Sequence, residues 1–293
     1  MSRLRDALQA GRFVVTGEVA PPLGTDLSGL ERSVELLGPW CEALNVTDNQ
    51  GATLHLSSLA ASRALLEMGA EPIFQQTCRD RNRLALQSDL LAAWTFGLEN
   101  LLAVTGDDPR HGDHPEAKGV FDIDSTHLIG IAKGMNDGHD MIGRELDGDT
   151  DFFVGGALFP EAEPWDIAME RAEQKVRAGA QFFQTQAFFD PEALGRTVER
   201  MHAIGAKVIA GVLVLRSPRT IDFINNRLAG LMVPEHVSRR IKGAADAKEE
   251  AIAFATEQVR IAREFADGVH VMPLGLDARV PEILGGAGLR PRG

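Results

Sequence analysis

Eight short apolar runs, each followed by a stretch of helical periodicity, limit this 293-residue chain to very few folds. The runs are Phe13 to Val19, Ala43 to Thr47, Pro72 to Thr77, Asn100 to Thr105, Phe152 to Ala157, Gln181 to Thr185, Lys207 to Leu213 and Gly268 to Pro273. Helical patterns cover Leu27 to Leu37, Leu56 to Met68, Asn82 to Phe96, Thr126 to Met135, Trp165 to Ala178, Pro191 to Ile204, Arg219 to Asn226 and one long stretch from Val237 to Phe265. Strands alternating with helices argue for a parallel sheet, and eight such units predict a (β/α)8 TIM barrel rather than an open sheet. No Pro-rich, Ser/Gly-rich or like-charge tether divides the chain, so the expectation is one barrel domain over residues 1–293.

Barrel enzymes place their chemistry where strands end at the C-terminal face. Run one ends in Gly17-Glu18-Val19-Ala20-Pro21-Pro22, run two in Thr47-Asp48-Asn49-Gln50, run three in Gln75-Gln76-Thr77-Cys78 and run six in Gln184-Thr185-Gln186. Run four is the most pointed: Leu101 to Val104 is apolar throughout, then Thr105-Gly106-Asp107-Asp108-Pro109 turns sharply and presents two acids. Gly106 permits a tight exit and close approach of backbone to a ligand, and Pro109 stops the strand. Asp and Gly also build ordinary turns. Asp107 is expected to face the site and Asp108 to cap the turn. Glu18, flanked by Val15, Val19 and two prolines, is expected to be partly desolvated, which favours the protonated, proton-donating form; an acid paired with an arginine in the barrel mouth is the competing reading.

The same strand ends exclude several chemistries. None ends in the lysine of a Schiff-base aldolase, and Lys207 begins its run. There is no G-x-S-x-G elbow, no P-loop, and no G-x-G-x-x-G between a run and its helix. Among eight histidines only His270 lies inside a run; His111 and His114 sit in an acidic loop where solvated side chains are commoner than ligands, so no metal is expected. Cys41 and Cys78 are far apart and form no C-x-x-C. The net charge, 30 − 42 = −12, weighs against a nucleic-acid surface. Without a signal-peptide core or a long apolar span, the expectation is a cytoplasmic protein with no membrane association. What remains is a buried Glu, a nearby Asp, and amides able to read a heterocycle edge.

These segments together resemble the methylenetetrahydrofolate reductases. The resemblance covers nearly the whole chain in order: Gly17 to Pro22, Val46-Thr47, Thr77-Cys78-Arg79-Asp80-Arg81-Asn82, Leu102 to Pro109, Gly112 to Asp122 and Lys175 to Asp190. It implies a flavoenzyme of one-carbon metabolism that interconverts 5,10-methylenetetrahydrofolate and 5-methyltetrahydrofolate by hydride transfer from reduced FAD, with NAD(P)H or a protein as electron donor. By resemblance Glu18 is the general acid that protonates folate N10, and Asp107 lies between flavin and pterin. Gln186 and Phe223 bind substrate. Thr47, Gln75, Thr105, Gly106, Asp107 and Asp122 hold the cofactor, and Arg171 and Lys175, one helical turn apart, meet its diphosphate; pairing with Glu170 and Glu173 on a solvated face is their competing reading. Arg216, Arg219 and Arg227 are expected along a folate polyglutamate tail.

Gln75 stands where many members carry a flavin-facing histidine, and with no Tyr in the chain Phe121 or Phe159 would take the place of a stacked tyrosine. An arginine expected after the last strand has no clean match in Met272 to Arg279. The partners expected are a folate and either a second copy of the chain or a redox partner subunit. The alternative reading is a non-catalytic folate- or flavin-binding barrel, an accessory subunit of a larger redox or methyltransferase system.

Overall fold

The computed structural model describes residues 2–227 and 231–292, the side chain of Arg227 excepted. Strands β1 (Val14–Val19), β2 (Ala43–Val46), β3 (Pro72–Thr77), β4 (Asn100–Val104), β5 (Phe153–Leu158), β6 (Phe182–Ala187), β7 (Lys207–Leu213) and β8 (Gly268–Met272) pair in sequence order, all parallel, into a closed barrel. Closure is made by β8 against β1, with Thr16 opposite His270. Each strand coincides with one of the eight runs to within one or two residues.

The helices differ from expectation at three places. The stretch from Val237 to Phe265 is two helices, Glu235–Lys242 and Ala247–Phe265. Gly243 ends the first, and Asp246 caps the second by accepting from the N–H groups of Lys248 and Glu249. Helices Arg3–Gln9 and Val280–Gly286 had no periodic signal, since seven residues hold too few turns to show one. No helix among the described residues is long and apolar enough to cross a membrane.

The pleat sends alternate side chains into the barrel. The lowest layer is apolar, with Val14, Ala43, Ile73, Leu102, Phe153, Phe182 and Ile209 packed on Leu4, Ala7 and Leu8 of the helix Arg3–Gln9. That helix plugs the lower end, and the rings of Phe153 and Phe182 stack at 4.8 Å above it. Each buried Val, Leu, Ile or Phe side chain in this layer contributes about 1.5–3 kcal/mol. One pleat higher β1, β2, β3, β6 and β8 carry Thr16, Asn45, Gln75, Gln184 and His270. The barrel is therefore sealed below and polar above.

Asp267, just before β8, joins three elements by accepting from His202 Nε2 at 2.7 Å, Lys207 Nζ at 2.9 Å and Val208 N at 2.8 Å. Burial opposes its charge, but the bonds from His202, Val208 and Lys207 outweigh that and hold the carboxyl below its ordinary value. A carboxyl depressed in the folded state stabilises the fold above its unfolded pKa and loses that contribution as pH falls through the folded value. Asp267→Asn is therefore expected to lower the urea midpoint at neutral pH, with the gap to wild type closing as pH drops below the reference value of 3.8. A gap independent of pH would contradict this.

Candidate active site at the mouth of the barrel

Glu18 points inward one pleat above Thr16, and its side chain is only 12% exposed. Its Oε1 accepts from Gln50 Nε2 at 3.3 Å, and its Oε2 faces His270 Nε2 at 3.8 Å. Among the described residues no arginine pairs with it, so the competing reading of an arginine-paired mouth acid finds no support there. Below, His270 Nδ1 meets Thr16 Oγ1 at 3.0 Å, and Thr16 Oγ1 accepts from Gln184 Nε2 at 3.4 Å. The Thr16 hydroxyl can donate to Nδ1 or accept from it. The imidazole can therefore present either a lone pair or an N–H to Oε2, matching either protonation state of Glu18. His270 was visible in the sequence only as the one histidine inside a run; its partnership with Glu18 needs β8 to close on β1. Asn45, opposite Glu18 in register, is buried with neither amide atom hydrogen-bonded.

Asp107 stands at the opposite side of the mouth, exposed, with Oδ2 accepting from Gly51 N at 3.2 Å. Gly106 reaches this turn with φ +95°, and a Cβ there would lie 2.9 Å from Arg79 Cβ, so only glycine fits. Asp108 caps the turn Pro109–His111, accepting from Arg110 N at 2.9 Å, and its bonds from Arg110 pull the carboxyl down to about 2. The capping role expected of Asp108 is thus seen, and Asp107 is left free of that turn. Thr105 turns its hydroxyl outward to Ser125 Oγ at 3.2 Å, leaving its backbone at the mouth.

The remaining candidates are unevenly gathered. Thr47 is buried at the end of β2, and Gln75 is half-buried on the inward face of β3. Gln186 is exposed at the mouth because β6 breaks register between Gln184 and Ala187. Phe223, 57% exposed, lies on the helix Pro218–Arg227 that follows β7. Of the two aromatic substitutes, Phe121 is exposed with φ 41° and Phe159 is half-buried just after β5. Asp122 is less available: Arg83 binds it through Nε at 2.8 Å, Nη2 at 2.9 Å and its own N–H, which holds the carboxyl at about 2. Arg279 is likewise engaged, by Glu249 and Glu282. Arg216 and Arg219 are exposed at the start of Pro218–Arg227, whereas the Arg227 side chain lies outside the described residues.

Lys175, on the helix Trp165–Ala178, donates from Nζ to Ala157 O at 2.9 Å. Burial pushes its ammonium below the ordinary value, Asp124 opposes that shift, and Arg171 adds to it. Glu173, the acid that could have bridged the two cations, pairs with Arg177 and Arg200. Arg171 has no ion-pair partner among the described residues. Two neighbouring cations without a bridging carboxylate fit a multiply charged anion. By contrast, a cavity of about 330 Å³ at the opposite face has its arginines spent, Arg3 on Glu71 and Arg292 on Gly38 O.

Comparison with known proteins adds to this geometry. A family model described as methylenetetrahydrofolate reductase matches residues 3–288. "Methylenetetrahydrofolate reductase 2" of Schizosaccharomyces pombe is 27% identical over 237 residues, 73% of this chain and 35% of that protein. "5,10-methylenetetrahydrofolate reductase" of Pectobacterium carotovorum subsp. carotovorum is 26% identical over 213 residues, 69% of this chain and 64% of that protein. The chain thus spans about a third of the fungal relative's length. A tryptophan synthase chain from M. tuberculosis superposes with TM-score 0.55 at 14% identity, covering 99% of this chain and 100% of its own, which speaks to the barrel alone.

Proposed function

The chain belongs to the methylenetetrahydrofolate reductase family, and on that premise we propose that it interconverts 5,10-methylenetetrahydrofolate and 5-methyltetrahydrofolate with Glu18 as general acid. The observation that carries this reading is the setting of Glu18: enclosed by the barrel wall, held at one oxygen by Gln50 and faced at the other by His270. Gln50 makes Oε1 the accepting oxygen and leaves Oε2 to carry the proton. Transfer of that proton to folate N10 breaks the bond from N10 to the methylene carbon and leaves an iminium at N5. A hydride added to that carbon completes the methyl group, and Glu18 then regains one proton from solvent or from the His270 side.

FAD is the group proposed to supply that hydride, and the residues present fit it. Lys175 and Arg171 would supply the cation pair for its diphosphate. Thr47, Gln75 and the backbone of Thr105 and Gly106 line the ends of β2, β3 and β4, where hydroxyl, amide and peptide groups suit the polar edge of a flavin. In this reading Asp107 would contact both flavin and pterin. Gln186 offers donor and acceptor to the substrate, and Phe223 a wall for it. Asp122 acts in this reading through Arg83, by fixing the loop that leads to the helix Ser125–Asn136. The electron donor is NAD(P)H or a protein.

The test is spectroscopic. Protein saturated with FAD is expected to bleach in the visible when mixed anaerobically with 5-methyltetrahydrofolate, and to recolour with the methylene form. Flavin that binds yet does not respond to either folate would overturn the reductase reading in favour of an accessory barrel.

A further inference from the structure

The short turn Asn49–Ala52 touches both acids of the proposed site. Gln50 Nε2 donates to Glu18 Oε1 at 3.3 Å, and the next residue's backbone, Gly51 N, donates to Asp107 Oδ2 at 3.2 Å. Two consecutive residues of this turn thus reach from the β1 acid to the β4 acid. It is also strained: Asn49, Gly51 and Ala52 have φ of 46°, 64° and 56°, and the left-handed region is costly for Asn and more so for Ala. Such a turn persists only where its surroundings over-determine it.

The surrounding group is Arg79. It is 2% exposed, two residues beyond β3, and lies beneath the turn. Its Nη2 donates to Asn49 O at 3.1 Å, and its Nε and Nη2 each reach Asp80 at 2.7 Å. Asp80 in turn accepts from Asn49 Nδ2 at 3.4 Å, so the carbonyl and the side chain of Asn49 are both tied to one ion pair. Arg79 also fixes the other side of the mouth. Its Cβ packs where a Gly106 side chain would be, and its carbonyl accepts from Val120 N at 2.7 Å. The guanidinium grips both Asp80 oxygens from two nitrogens of one planar fork and still reaches the Asn49 carbonyl, a geometry that the single nitrogen of a lysine does not offer.

We infer that Arg79 is a positioning residue for the reaction: through Asn49 it locks the Gln50-Gly51 turn, and the turn sets Glu18 and Asp107 at their working separation. The inference rests on the proposed roles of those two acids. Arg79 bonds neither Glu18 nor Asp107 and acts on them only through the turn, so its role falls on rate more than on folate affinity.

The experiment is a double-mutant cycle on the FAD-loaded enzyme, with amide exchange at Gly51 as a second readout. Arg79→Met is expected to lower kcat about tenfold to a hundredfold with folate KM within about threefold, the size of loss that a displacement near 1 Å produces. Gln50→Leu is expected to lower kcat by less, and the double variant to be no slower than Arg79→Met, because the turn is already released. Gly51 N–H is expected to lose its exchange protection in Arg79→Met. Multiplying effects, a near-wild-type kcat, or retained Gly51 protection would each overturn the inference. Should Arg79→Met fail to fold, Arg79→Lys keeps the charge and the stem but not the fork, and a wild-type rate in that variant would overturn it equally. A wild-type protein without folate turnover would refute the reductase reading instead, while the Gly51 exchange measurement would still report on the clamp.

Discussion

Glu18→Gln is expected to lower turnover of 5,10-methylenetetrahydrofolate by about 10²- to 10⁴-fold, the usual range for loss of a general acid. The substitution keeps the volume and an oxygen that can still accept from Gln50 Nε2, so the turn above it stays in place. It removes the one proton that can be delivered at Oε2. Reduction of bound flavin by its donor does not involve folate N10 and is expected to proceed nearly as in wild type. Stopped-flow measurement of the two half-reactions separates the cases. Equal loss in both would show that Glu18 shapes the site without acting as acid.

The second large effect concerns stability. Asp48, at the end of β2, has a side chain with 0% exposure and four hydrogen bonds: from Thr77 N and Thr77 Oγ1, both at 2.9 Å, and from Arg81 Nη1 at 2.7 Å and Nη2 at 3.2 Å. Arg81 is held in turn by Asp89 at 2.8 Å. Arg81→Met leaves the carboxylate buried without a cation, which costs about 3–5 kcal/mol. Adding Asp48→Asn removes the orphaned charge, and the double variant is expected to recover a large part of that loss in urea titration. If Arg81→Met alone shifts the midpoint by no more than a surface substitution does, the pair is not a buried ion pair in solution.

What the sequence disclosed and what it withheld follow from the range of the forces involved. The strands were legible because burial on both faces writes a continuous apolar run, as in Leu101 to Val104, independent of distant partners. The division of Asp107 from Asp108 was legible because Gly106 and Pro109 act within a few residues. His270 was not, since its meaning depends on closing β8 against β1, 254 positions from Thr16. Arg79 and Arg81 entered the sequence reading only as part of the Thr77 to Asn82 segment, with no partner assigned. Only the packing of three successive strand ends buries them and assigns them to Asp80 and Asp48. Asp122 is a different case: the resemblance assigned it to the cofactor, and the fold shows its carboxylate bound by Arg83, a partner the sequence did not disclose.

The plug formed by the helix Arg3–Gln9 has a consequence for traffic. With Leu4, Ala7 and Leu8 seated on the lowest ring of barrel side chains, the described residues leave no rear exit, and whatever reaches Glu18 must depart by the doorway through which it came. Wherever two molecules must both come to Glu18, one has to leave before the other can enter.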